Sequence, residues 1–123
     1  MSDETCNWTD LARDVIASLT PQEREVAIAY LEQRIIPAGE ELTWAGITQR
    51  FNEAVVVAFI DLEPALNWTH RARYLILGTG GGLRQTIDAD RPPFMTGVSP
   101  YLHLIHQGSQ VPVWAVVTSP ENS

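Results

Sequence analysis

The chain has 123 residues, 45% of them hydrophobic, which is the size of one domain with a sizeable core and an ordinary globular composition. Fifteen acidic residues face eight basic ones, a formal charge of -7, and all eight basic residues are arginines. The absence of lysine excludes Schiff-base, Walker-type and general-base lysine chemistry, and the acidic balance argues against nonspecific binding to nucleic acid or anionic membrane.

Met1 to Thr5 lacks the charged and apolar regions of a signal peptide, and Cys6, the one cysteine, cannot form an internal disulfide. The longest apolar run, Ala54 to Ile60, falls far short of a membrane helix. A cytoplasmic protein with no membrane association is expected.

The first helix is predicted over about Thr9 to Leu19. Asn7 or Thr9 caps it, and Leu11, Val15 and Leu19 form its apolar face. Thr20-Pro21-Gln22-Glu23 reads as a capping box with proline at the first helical position. A second helix is expected from there to about Ile35, with Val26, Ala27, Tyr30 and Leu31 on one side, so that the two helices make a hairpin. Trp44, Ile47 and Phe51 have helical spacing and suggest a short third helix, although Gly46 opposes it.

The periodicity then changes. Ala54 to Ile60 is continuous and β-branched, the pattern of a central strand covered on both faces. Arg71 to Leu77 and Leu83 to Asp88 read as a β-hairpin joined by the glycine-rich Gly78-Thr79-Gly80-Gly81-Gly82. No lysine and no helix follow those glycines, which argues against a phosphate loop. Ser99-Pro100 looks like the start of a short helix through Gln107, stopped by Gly108, and Val113 to Thr118 like a last strand. The expected fold is α+β: a helical hairpin on a small mixed sheet of about four strands, with one short helix before the last strand. Residues 7–119 form the domain, with 1–6 and 120–123 as tails. Asn7 to Ile16 and Asn67 to Ile76 match at six of ten positions, but one copy reads as helix and the other as loop and strand, so no repeat is inferred.

Four groups of residues offer chemistry. His103 and His106, three apart on the expected short helix, would share a face, yet no zinc-binding spacing supplies further ligands; no metal or cofactor is expected. Asp61 and Glu63 at a strand end could divide acid and base roles; the plainer reading is solvated carboxylates. Asp88 and Asp90 repeat that spacing. Trp68, His70, Arg71, Arg73 and Tyr74 are the densest cluster of residue types favoured at interfaces, against the plainer reading of a core tryptophan and surface ion pairs. Arg71 and Arg73, on one strand face, could grip a carboxylate or phosphate.

No catalytic motif emerges. The leading expectation is therefore a small acidic, non-enzymatic protein that acts through a protein interface, with Trp44, Trp68 and Trp114 as further contact material and a homodimer as one form. One alternative is a small-molecule binder or enzyme using Asp61, Glu63, His70, His103 or His106. Another is an acidic mimic of nucleic acid that occupies a basic groove.

Overall fold

The computed structural model describes residues 7–44, 47–63, 71–89 and 101–111. Helix α1 spans Trp8–Ala17. The Asn7 side chain caps it by accepting from the Asp10 amide at 3.1 Å, and Leu11, Val15 and the following Leu19 are buried on one face. The capping box forms in both directions: the Glu23 amide donates to Thr20 Oγ1 and the Thr20 amide donates to Glu23 Oε1. The helix it opens, α2, is only Pro21–Val26.

The expected helical hairpin is therefore a correction. Ala27 turns to extended backbone, and strand β1 follows over Ile28–Glu32. Its first four residues are all buried, so apolar residues are needed at every position and not on one helical stripe. The expected third helix is likewise a β-hairpin: β2, Glu41–Trp44, pairs antiparallel with β3, Ile47–Arg50. Cross-strand Thr43 and Thr48 place their hydroxyls 3.0 Å apart.

The central strand and the hairpin after it are as expected. They are β4, Val55–Asp61, β5, Ala72–Gly78, and β6, Leu83–Ala89. Gly81 and Gly82 hold φ of +102° and +92° in the β5–β6 turn, a conformation that favours glycine. The short helix expected before Gly108 is instead strand β7, Leu102–Gln107. The sheet has five strands in the order β6-β5-β4-β1-β7, and every pair is antiparallel. That replaces the mixed sheet of about four strands within an α+β fold. Cys6, Asn67, Asp90, Ser99-Pro100, the expected strand Val113 to Thr118 and the expected tails lie outside the described residues.

The sheet has a core on each face. On the helix side, α1 packs Leu11 and Val15 on Ala29, Leu31, Val56, Ala58, Ile60, Leu75 and Leu77. On the other side, here the hairpin side, Tyr30, Phe59 and Tyr74 occupy one cross-strand row. Their ring centroids are 5.9 Å (Tyr30 to Phe59) and 5.2 Å (Phe59 to Tyr74) apart. Leu42 and Phe51 bring the β2–β3 hairpin against this second core. No described helix is long and apolar enough to cross a membrane.

Candidate functional site

The two histidines do share a face, for a reason different from the one expected. Residues three apart on a regular strand point to opposite sides. In β7, His103 pairs with Leu31 and His106 with Ala29, with a bulge between them that inserts one extra residue. Leu31 and Ala29 both face the helix side, so both histidines do too. His106 is already engaged: its Nε2 donates to the Arg24 carbonyl at 2.7 Å and ties β7 to α2. Among the described residues no third ligand-type side chain gathers with this pair.

Asp61 does not meet them. It pairs with Ile28, which pairs with Gln107, so β1 stands between Asp61 and the end of β7. Two strand spacings are about 10 Å, beyond hydrogen-bond or one-water reach. Asp61 alternates with Phe59 onto the hairpin side, opposite to His106. It is buried, at 4% exposure, and its Oδ1 accepts from the Glu63 amide at 3.0 Å. Glu63 in turn accepts from the Arg71 amide at 2.7 Å and lies 3.6 Å from the Arg71 guanidinium. The two carboxylates close the corner between β4 and β5, each holding backbone N–H groups.

The described members of the interface cluster have different settings. Trp68, His70 and Trp114 lie outside the described residues, as does the side chain of Trp44. Tyr74 is core, at 1% exposure. Arg71 precedes β5 and is exposed, whereas Arg73 lies in it, half-buried, with Nη2 and Nη1 donating to the Glu23 carboxylate at 3.1 and 3.4 Å. Arg73 thus fastens α2 to the sheet, and its fork is occupied by a carboxylate of its own chain. The Glu23 carboxyl titrates below the ordinary value of 4.5, first through the backbone N–H of Thr20 and then through the Arg73 hydrogen bond, against the opposing effect of burial.

Most of the described arginines are paired with a carboxylate. Arg13, Arg34, Arg50, Arg71, Arg73 and Arg84 each lie within 4.0 Å of a carboxylate, and Arg24 donates to the Ile16 carbonyl at 3.3 Å. The acidic surface is therefore interrupted by cations, unlike the continuous run of anions along a nucleic-acid strand.

What the sequence reading passed over is the edge of the sheet. β6 is an outer strand, and no described residue pairs with its far side. Its first four side chains are all exposed, and Leu83 is 51% exposed. A bulge at Arg84 shifts the register between Ile76 and Leu77. It leaves Leu83 on the helix side, where Asp14, Ala17, Ser18, Leu75, Leu77, Gly82 and Leu83 line an open groove of about 340 Å³. Arg84 turns to the hairpin side, its Nε 3.1 Å from Glu53. There Gln49 Nε2 donates to Gln85 Oε1 at 2.7 Å and joins the small hairpin to β6. The run of polar residues in Leu83 to Asp88 was the available signal, since a strand polar on both faces belongs at an edge. No family model, curated protein or solved structure matches this chain.

Proposed function

We propose that this chain is a small acidic, non-enzymatic protein of the cytoplasm that works by binding another polypeptide along the outer edge of β6. The observation that supports this reading is the edge itself: a seven-residue strand with no described neighbour on its far side, beside an apolar groove that ends at a half-exposed leucine. Backbone N–H and C=O groups on such an edge are a template for a further strand. Among the described candidates, Asp61, Glu63, Arg71, Arg73 and His106 each hold another part of this chain, which supports recognition over catalysis as the role.

Native mass spectrometry of the protein purified gently from its host, with hydrogen exchange on the same sample, tests the reading. A retained polypeptide, with amides of β6 slowed relative to the separated chain, is the expected result. A monomer carrying a metal or small molecule, with β6 exchanging freely, overturns it.

A further inference from the structure

The register and charge of β6 narrow the kind of partner, given the reading of that edge as an interface. From Gln85 to Ala89 the strand is regular: Gln85, Ile87 and Ala89 are cross-strand neighbours of Ile76, Tyr74 and Ala72, and Thr86 and Asp88 of Leu75 and Arg73. The first set faces the hairpin side and the second the helix side. A strand added antiparallel must match these faces, because directly opposed residues share a side.

A second copy meets this demand poorly. Centring a two-fold on Asp88 sets that carboxylate against itself. Centring on Ile87 sets Asp88 opposite Thr86 and leaves the two Asp88 side chains as diagonal neighbours on one face. Centring on Thr86 would pair Asp88 with Arg84, but the bulge has turned Arg84 to the other face. Among the described residues of β6 no face-matched register gives Asp88 a cation from the partner, and two chains of charge -7 repel at long range. Asp88 has spare capacity: its side chain is 87% exposed and its contact with Arg73 is long, at 3.8 Å. Asp14 on α1, also exposed, stands on the same side at the rim of the groove.

We infer that β6 is completed by an extended basic segment of a different protein, with arginine or lysine on the helix side opposite Thr86 and Asp88 and apolar residues on the hairpin side beside Ile87 and Ala89. The main-chain ladder supplies attachment, and alternating side chains supply selection. Charge on the rim sets which partner docks more than it sets raw affinity.

The test is a titration of the ¹⁵N-labelled full chain with a short blocked peptide of alternating arginine and valine, and with its counterpart carrying glutamate for arginine. The expected result is a set of amide shifts centred on Gln85 to Ala89, with the arginine peptide bound about fivefold tighter, as two exposed ion pairs give. That preference shrinks as salt is raised. Thr86→Arg, on an exposed position, should weaken the arginine peptide several-fold and leave the melting temperature unchanged. Equal binding of both peptides, or shifts away from β6, overturns the inference. A concentration-dependent homodimer whose protected amides are those of β6 also overturns it, by making a second copy the occupant, while the interface reading stands. A chain that ignores both peptides, and from its host carries no polypeptide, loses both readings.

Discussion

At Gly108 one backbone runs against another. A methyl group there would meet the carbonyl oxygen and carbon of Glu25, and would come within 2.8 Å of the Val26 amide nitrogen. The approach is fixed by hydrogen bonds on both sides, from the Gly108 amide to Ala27 and from the Gln110 amide to Glu25, each 2.9 Å. Gly108→Ala must push β7 away from the end of α2, and is expected to cost about 1–3 kcal/mol in urea unfolding, the range for overpacking. Glu23 is the other residue on which much depends, because one carboxylate serves the capping box and the Arg73 fork. Its folded pKa is lowered, so its contribution is present above the ordinary value of 4.5 and is lost as pH falls through the lowered value. Glu23→Gln should therefore lower stability at neutral pH by about 1 kcal/mol and flatten the acid limb of the stability curve, measured by denaturation from pH 7 to 3.

Elements were legible where one physical signal acted alone. The first helix, the capping box, the central strand and the glycine-turn hairpin each carry an unambiguous local pattern. The failures fall where a buried strand imitates a helix. Ala27-Ile28-Ala29-Tyr30-Leu31 offers apolar residues at both spacings, and the preceding cap suggested helix. The choice is made by β4 and β7, which sandwich the segment and can bury all of it. The helix expected through Gln107 rests on Ser99-Pro100 and the Gly108 stop, end signals that say nothing of the strand between, while the bulge gives His103 and His106 the common face a helix would give. The sequence echo makes the point within one chain: Ala12-Arg13 is helical and Ala72-Arg73 is strand. The capping box still matters in a helix of six residues, because α2 carries Glu23 to Arg73 and Arg24 to His106. Thr20→Ala should cost about 1 kcal/mol, read from the thermal or urea midpoint. The candidate site was far less legible than the fold. Residue type marked Asp61, Arg73 and His106 as chemical, but only tertiary position shows that each is engaged with its own chain. The outer place of β6 is set by strand order, at which the polar run from Leu83 to Asp88 only hints.

At the scale of the molecule, the two faces of the sheet are buried by different means and its outer strand is treated differently again. The helix-side core rests on α1, and the hairpin-side core carries the aromatic row. The open edge is polar, bulged at Arg84 and marked by Asp88, devices that hinder indiscriminate strand pairing. In the proposed interface it is the charge on this edge, and not its area, that selects the partner.

The place of β1 in the sheet also has a bearing on synthesis. Both of its neighbours, β4 and β7, are made after it, and β7 lies about seventy residues downstream. Until those strands emerge, the apolar stretch Ile28 to Leu31 has no strand on either side, and of its described cover only α1 has been made. Pairings so distant in sequence must pay their loop-closure entropy before any contact repays it. The sheet therefore closes only once β7 has emerged, and the nascent protein passes through an interval in which the apolar stretch of β1 is open to chaperones and to other nascent chains.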